Sequence, residues 1–319
     1  MVIPLLRSLY DTERPCPGSW WESAQTMHDM ELFAIHAQVY HLLQTTHRLD
    51  PLPEEVLSKL KARHTQGMYQ NLVMKHKETE ALELLDKHGL EVIPLKGVRF
   101  AERYFGHYAA RITSDMDLLV RTERLQEAIA CLVAHGYDFE IIKDHHARLH
   151  KDGMMVELHW TLDKRDWSDL DPESFWRSAT AVNGYRHVKE LTPLHTFYFI
   201  CLHGARHQMD SVRYLIDIVQ MLHTHSRHID YGRLMELTSV DKTSKRIQAV
   251  LSIVYQQFPH LQTFKPLPFD LLDTHWDYDT VRGGRLGRKT KGYYQYKLFF
   301  RHFLFDTLKH QIRSIRKAY

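Results

Sequence analysis

Two carboxylates stand two positions apart at the start of an apolar run. Asp115 and Asp117 flank Met116, and the apolar residues continue to position 120. This alternation predicts a half-buried strand in which both carboxylates lie on the same face. Isolated buried carboxylates would lose their charge or attract cations. The pair is therefore a candidate site for a divalent metal ion bound through oxygen.

A third acid is predicted on a neighbouring strand. Residues 154–160 alternate in the same way, with Glu157 and His159 on one face. Asp152-Gly153, just before them, is a strong signal for a two-residue hairpin turn. Two acids on one strand and one on another can hold a pair of magnesium ions about 4 Å apart, the arrangement for in-line displacement at phosphorus. His159 either orients Glu157, contacts substrate, or is a half-buried histidine bonded to the backbone.

A glycine turn upstream is suited to phosphate. Lys96-Gly97 lies between a predicted strand, residues 91–95, and a predicted helix, residues 98–105. Glycine lets the backbone approach a ligand closely, and a helix N-terminus attracts phosphate. Lys96 would add a positive charge, or it is a surface lysine at a turn. Arg111 either clamps phosphate in a bidentate manner or neutralises the two aspartates.

Taken together, these motifs resemble the poorly characterised nucleotidyltransferase family of the polymerase-β-like superfamily. The resemblance covers roughly residues 91–162 and, more weakly, the helices after Pro193. It implies a mixed sheet flanked by helices, magnesium or manganese, and a nucleoside triphosphate donor. The superfamily usually opens this motif with Gly-Ser, whose serine helps to hold the triphosphate, whereas this chain has Lys96-Gly97. The residues that carry the resemblance are Lys96, Gly97, Arg111, the run from Ser114 to position 120, and residues 157–160.

The resemblance also implies a set of nucleotide-binding residues. Three of them lie on two predicted helices, near residues 193–205 and 212–224, that would pack over the nucleotide cleft. By spacing alone, Arg213 and Asp217 are most simply a surface ion pair worth a few tenths of a kcal/mol. The full set is Lys96, Gly97, Arg111, Ser114, His203, Arg213 and Asp217.

The predicted fold class is α+β, with a nucleotidyltransferase-like mixed β-sheet core and flanking helices. A chain of 319 residues has room for about two domains. We predict an irregular lead-in with N-terminal helices at 1–90, the core at 91–190, and a C-terminal helical domain at 191–319. The lead-in is placed before residue 22 because of Pro4, Pro15 and Pro17.

Composition bears on the class of partner and on the location of the protein. A net charge of +3 with 25% charged residues does not by itself predict nucleic-acid binding. Three widely spaced cysteines, the absence of a leader sequence and the lack of a long apolar run favour a reducing cytoplasm without a membrane span.

Zinc chemistry is not expected from the sequence. His145, His146 and His150 are close together, but the chain contains 24 histidines and no cysteine or acid completes the set. His203 and His207 are four positions apart without the glutamate of a metalloprotease helix.

The predicted function is transfer of a nucleoside monophosphate from a nucleoside triphosphate to an unidentified acceptor, with release of pyrophosphate. Asp115, Asp117 and Glu157 would be the catalytic metal ligands, and Glu157 could also serve as the base for an acceptor hydroxyl. Phosphoryl transfer at the same metals and a non-catalytic nucleotide-binding or regulatory protein are the alternatives. Nucleic-acid binding through a flexible cationic loop at 282–292 is a third alternative.

Overall fold

A mixed sheet lies at the centre of the protein. The computed structural model describes residues 2–316, so the outermost residues of the first and third predicted segments lie outside it. The sheet has five strands in the spatial order β1-β2-β5-β4-β3. β2 and β5 are parallel, and the other neighbours are antiparallel. The strands are β1 (Val92–Pro94), β2 (Asp115–Val120), β3 (Asp138–Ile142), β4 (His146–Lys151) and β5 (Met154–His159).

Helices surround this sheet, so the predicted α+β class with a mixed sheet and flanking helices is confirmed. A short antiparallel pair, β6 (Thr180–Ala181) and β7 (Lys189–Glu190), precedes the C-terminal helices. The helices are α1 (Val2–Tyr10), α2 (Ala24–Leu32), α3 (His36–Thr45), α4 (Glu54–Lys87), α5 (Val98–Phe105), α6 (Leu125–Ala134), α7 (Glu173–Ser178), α8 (Pro193–Arg206), α9 (Val212–His225), α10 (Tyr231–Asp241), α11 (Ser244–Gln257), α12 (Leu261–Phe264), α13 (Tyr278–Arg285), α14 (Lys291–Leu298) and α15 (Leu308–Arg316).

The predicted hairpin forms between β4 and β5. Asp152 and Gly153 both have positive φ, 51° and 74°, as a tight two-residue hairpin turn requires. One face of the resulting strands is apolar and packs against α4 and α6. The opposite face carries the acids, because side chains alternate along each strand.

The N-terminal segment is helical where an irregular lead-in was predicted. α1 buries Val2, Leu5, Leu6 and Leu9 completely or almost completely. Pro4 is compatible with the helix because it lies in the first turn, where backbone N–H groups lack intrahelical acceptors. The prediction of an irregular structure for residues 2–10 was therefore wrong.

The N-terminal and C-terminal helices share a hydrophobic core. Side chains of α1 and α3 belong to the same buried cluster as those of α8, α9 and α11. Tyr10 donates a hydrogen bond to Gln220 across 2.9 Å, which ties α1 to α9. Within residues 2–316, no helix combines the length and the apolar character needed to cross a bilayer.

The predicted cationic loop is largely helical. Arg282 and Arg285 lie in α13 and Lys291 begins α14, so a flexible loop over the whole of 282–292 was the wrong prediction. Asp277 caps the start of α13. A Cβ at Gly284 would lie only 2.3 Å from a ring carbon of Tyr293, so this glycine permits close packing between the two helices.

Candidate active site

The parallel pairing of β2 and β5 brings the predicted acids together. Asp117 is the register partner of Glu157, and Asp115 lies opposite Met155. Ligand atoms of Asp117, Glu157 and His159 all lie within 4.8 Å of one another. Asp115 is outside this group, although Lys96 contacts both Asp115 and Asp117. The residues within metal-binding distance of one another thus include His159, which the sequence analysis did not predict as a metal ligand.

Lys96 points into the acid cluster. Its Nζ lies 2.9 Å from Asp117 Oδ2 and 3.3 Å from Asp115 Oδ2. The Lys96 side chain is only 10% exposed, so the surface-lysine alternative was wrong. A positive charge therefore lies between the two aspartates of β2.

Asp117 is buried and remains ionised. His159 Nε2 lies 3.0 Å from Asp117 Oδ1 and donates to it. Burial alone would raise the pKa of Asp117, but the Lys96 ammonium and the His159 hydrogen bond hold that pKa well below its usual value. His159 is 1% exposed and bonds a carboxylate, so the alternative of a half-buried histidine bonded to the backbone was wrong.

Glu157 accepts hydrogen bonds from the neighbouring strand. Arg148 Nη2 donates to Glu157 Oε1 at 3.1 Å, and His159 Nε2 lies 3.5 Å from Glu157 Oε2. Burial opposes the charged form, but the hydrogen bond from His159 outweighs it and lowers the pKa of Glu157 to about 2. Glu157 is therefore a carboxylate at neutral pH.

The chemistry of this group fits a divalent cation. Asp117 Oδ2 is buried and, within the described residues, accepts no hydrogen bond of good geometry. The Lys96 ammonium, 2.9 Å away, is the cation that now compensates this buried oxygen, and a metal ion would compensate it in the same way. Carboxylates from Asp115, Asp117 and Glu157 would provide oxygen ligands of the kind that magnesium and manganese prefer.

The Gly97 turn is next to the acids and requires glycine. Gly97 has φ +92°, a conformation that residues with a Cβ rarely adopt. It precedes α5, whose first N–H groups have no intrahelical acceptors. A Cβ at this position would lie 3.7 Å from Thr113 and 3.9 Å from Glu78 Oε1. The backbone of this turn is therefore not covered by a side chain at Gly97, and it lies close to the acid cluster.

Glu78 is a site neighbour that sequence reasoning missed. It lies on α4, is 5% exposed, and has Arg99 Nε 3.7 Å from its Oε2. Burial raises the pKa of Glu78 from its usual 4.5 to about 7. The available signal was an acid on the apolar stripe of α4, at helical spacing from Met74 and Leu82.

Arg111 is engaged by a buried aspartate. Its Nε and Nη2 donate to Asp217 Oδ1 and Oδ2 at 2.7 and 2.9 Å. Burial opposes the charge of Arg111, but Asp217 outweighs it and raises the pKa of Arg111. Lys96 is the cation in contact with Asp115 and Asp117, although their charges also raise the pKa of Arg111, and the guanidinium fork that was predicted to clamp phosphate holds Asp217 in this structure.

The predicted surface ion pair on α9 does not form. The Asp217 side chain is 3% exposed and pairs with Arg111, whereas Arg213 donates to the backbone carbonyl of Ile112. Both side chains of α9 thus hold the segment that leads into β2. The prediction was wrong because it used helical spacing, whereas the partner of Asp217 is Arg111, 106 positions away in the sequence.

The same segment is held from the other side by α4. Asn71 is fully buried, donates to the backbone of Tyr108 and Arg111, and accepts from the N–H of Thr113. Sequence reasoning missed this residue. Its three bonds fix the backbone that presents Asp115.

The remaining predicted residues are near the cluster. Ser114 is exposed, with its Oγ 3.5 Å from Asp115 Oδ1. His203 of α8 is half-buried, and burial followed by the charge of Lys96 lowers its pKa well below the usual value. The structure thus brings all ten predicted residues to one region between β2, β5, α8 and α9, while their roles stay predictions.

Comparison with known proteins then decides the family. A family model described as uncharacterised nucleotidyltransferase matches residues 21–259 of the 319-residue chain. The chain belongs to this uncharacterised nucleotidyltransferase family. The resemblance carried by the motifs is confirmed, and the protein is a nucleotidyltransferase, hence a transferase.

Other comparisons add only distant similarity. No curated protein sequence matches the chain significantly. A crystal structure of ANT(2")-Ia in complex with adenylyl-2"-tobramycin is 12% identical, with a TM-score of 0.37, over 52% of this chain and 95% of that chain. A solution structure of the antibiotic-resistance factor ANT(2'')-Ia is also 12% identical, with a TM-score of 0.35, over 60% of this chain and 97% of that chain.

The family match extends well beyond the motifs. It begins at residue 21, before α2, and ends at residue 259, after α11. Asn71 and Glu78 on α4, and Asp217 on α9, therefore lie inside the part of this nucleotidyltransferase that the family model describes.

Proposed function

We propose that this nucleotidyltransferase moves a nucleoside monophosphate from a nucleoside triphosphate to a hydroxyl-bearing acceptor, releasing pyrophosphate. The observation that carries the proposal is the pairing of Asp117 with Glu157 across β2 and β5, beside Asp115 and Lys96. Three acids on one face of the sheet, with a glycine turn next to them, suit a metal-bound triphosphate.

Asp115, Asp117 and Glu157 would hold magnesium or manganese. When bound, the metal neutralises phosphate oxygens and favours the in-line arrangement of the reacting groups. Because the pKa of Glu157 is lowered to about 2, its carboxylate is ready to bind a cation and is a weak base. We therefore favour Glu157 as a metal ligand over Glu157 as the base for the acceptor.

Positive and neutral groups would face the triphosphate. The backbone at Gly97 and the start of α5 would contact phosphate oxygens. Glu78, with its pKa at about 7, is largely uncharged below neutral pH and so repels a phosphate less than an ordinary glutamate would. Arg213 of α9 and His203 of α8 would contact the nucleotide from the helical side.

Lys96 would change partners when the donor binds. Its ammonium lies against Asp115 and Asp117 in this structure. A bound cation would weaken that attraction, and a phosphate oxygen would provide a new acceptor for Lys96 Nζ. In this account, Lys96 has the charge-balancing role that the superfamily's serine cannot have.

Product analysis tests the reaction. The protein would be incubated with magnesium, each nucleoside triphosphate labelled at the α-phosphorus, and a panel of sugars, aminoglycosides, peptides and RNA ends. Nucleotidyl transfer predicts labelled adducts and stoichiometric pyrophosphate. Nucleoside diphosphate as product would establish phosphoryl transfer instead.

A non-catalytic role has its own signature. Magnesium-dependent nucleotide binding without turnover on any acceptor would identify a nucleotide-binding protein that keeps the fold.

The free cysteines Cys16, Cys131 and Cys201 are consistent with our proposal of a cytoplasmic location.

A further inference from the structure

Three imidazoles gather on the β4 side of the acid cluster. His146 of β4 is the register partner of His159 on β5, and His145 precedes His146. Ring centroids are 4.5 Å apart for His145 and His146, 5.3 Å for His146 and His159, and 5.7 Å for His145 and His159. One ring nitrogen from each residue lies within 4.8 Å of the other two. This histidine cluster brings together residues that are 13 or 14 positions apart in the chain.

The cluster contains buried nitrogens without partners. His145, His146 and His159 are 9%, 6% and 1% exposed. His145 Nδ1, His146 Nε2 and His159 Nδ1 make no hydrogen bond within the described residues. Buried polar atoms are normally satisfied, so three unsatisfied imidazole nitrogens in one place need a physical reason.

The hydrogen bond to Asp117 prepares His159 as a ligand. A carboxylate only accepts, so the Nε2 that faces Asp117 Oδ1 at 3.0 Å carries the proton. In the neutral ring, Nδ1 then has a free lone pair. A carboxylate that orients a histidine in this way is the usual second layer around a protein-bound transition metal.

His145 and His146 also have lone pairs to offer. His146 Nδ1 lies 3.2 Å from His145 Nε2, where one ring donates to the other. The ring that donates has a lone pair on its second nitrogen, whereas the ring that accepts carries its proton there, so the accepting nitrogen offers its lone pair to a metal ion only when the metal replaces this hydrogen bond. Because neutral imidazole is the form that binds metals, two adjacent neutral rings are a suitable start for a nitrogen-rich site.

The surrounding charges would offset a divalent ion. Asp117 and Glu157 lie on the same side, with Glu157 Oε1 3.5 Å from His146 Nε2. Arg148 is paired with Glu157, and Arg206 donates to the carbonyl of Leu162. Burial, followed by the charge of Arg206, lowers the pKa of His145 to about 2. The two carboxylates would attract the ion in competition with Lys96 and Arg148, which contact them.

We propose that His145, His146 and His159 form a binding site for a divalent transition metal ion such as Zn²⁺ or Co²⁺. Three nitrogen ligands suit such ions and not magnesium, which prefers oxygen. The fourth position is open to water or to the Glu157 carboxylate. The site shares His159 with the acid cluster. A bound metal would fix the His159 ring, and the hydrogen bond from this ring would then hold the orientation of Asp117. It does not depend on the proposed nucleotidyl transfer.

Cobalt and zinc titrations test the site. After treatment with a chelator, the full-length protein should bind one equivalent of Co²⁺ with the visible absorption of a tetrahedral nitrogen site, and Zn²⁺ should displace it. We expect His145→Ala to weaken this binding at least 100-fold. The matched control is His150→Ala, because His150 is 42% exposed on the same strand and pairs with Glu140 instead.

The outcomes separate this site from the proposed function. His145→Ala should keep the circular dichroism spectrum and the cooperative thermal unfolding of wild type, which shows that the variant folds whether or not the protein binds nucleotide. His146→Asn is the second variant, and it should reproduce the loss of Co²⁺ binding. If wild type binds Co²⁺ no more tightly than His145→Ala and His146→Asn, or lacks the tetrahedral spectrum, the histidine cluster is not a metal site.

Discussion

Lys96 Nζ lies 2.9 Å from Asp117 Oδ2, so a tethered ammonium neutralises the carboxylate that is predicted to bind a metal ion. The same ammonium lies 3.3 Å from Asp115 Oδ2. A cation that approaches these oxygens must compete with Lys96. The affinity of the site for magnesium is therefore linked to the position of one lysine side chain.

Replacing Lys96 should tighten magnesium binding in the absence of nucleotide. Lys96→Met removes the competing charge, and we expect at least a tenfold lower Kd, which corresponds to about 1.4 kcal/mol. Calorimetric titration with magnesium chloride measures the change. Lys59→Met is the matched control, since Lys59 is 64% exposed and pairs with Glu55 at a distance from the site. An unchanged Kd for Lys96→Met would show that the ammonium does not compete.

The free energy of unfolding should depend on pH through the Glu78 side chain. Its pKa is raised from 4.5 to about 7, so the folded state disfavours the charged form and stability falls as pH rises through that window. Between pH 4 and pH 8, the unfolding free energy of Glu78→Gln should therefore gain up to about 3 kcal/mol relative to wild type. Urea unfolding at both pH values measures this difference.

The control for Glu78 lies on the same helix. Glu80→Gln changes a side chain that is 46% exposed, and its stability relative to wild type should stay nearly constant with pH. A flat difference for Glu78→Gln over the same range would contradict the raised pKa.

The Arg111 and Asp217 pair should contribute strongly to folding. Both side chains are buried, so Asp217→Asn leaves a buried guanidinium without its counter-charge and should cost about 3–5 kcal/mol. The double variant Arg111→Met/Asp217→Leu should recover much of this loss, because no buried charge remains. Glu236→Gln breaks an exposed pair with Arg233 and should leave stability unchanged. A loss for Asp217→Asn no larger than that of Glu236→Gln would contradict this account.

The central strands could be predicted because their signals are local. Alternation over residues 115–120 and the Asp152-Gly153 turn both lie within a few residues of the elements they specify. The start of α8 was similarly readable, because Thr192 caps a helix that opens with Pro193. These local signals were enough to predict that Asp117 and Glu157 lie close together on neighbouring strands.

The surroundings of the acids could not be predicted from local patterns. Arg111 pairs with Asp217, and Asn71 holds the Thr113 backbone, through contacts that only the packing of α4 and α9 against the sheet creates. The zinc prediction considered His150 because it is near in sequence, whereas the fold brings His159 to His145 and His146. Long-range contacts therefore set the electrostatics of the site.

Magnesium-dependent binding of nucleoside triphosphates tests the central claim most directly. Calorimetry on wild type and on the Asp115→Ala/Asp117→Ala double variant, with and without magnesium, would make the comparison. A Glu140→Ala variant, which removes an exposed acid of the same sheet, is the control. The account predicts binding by wild type and the control only with magnesium, and loss of at least 100-fold in the folded double variant. Equal binding by the double variant, or none by folded wild type, would contradict it.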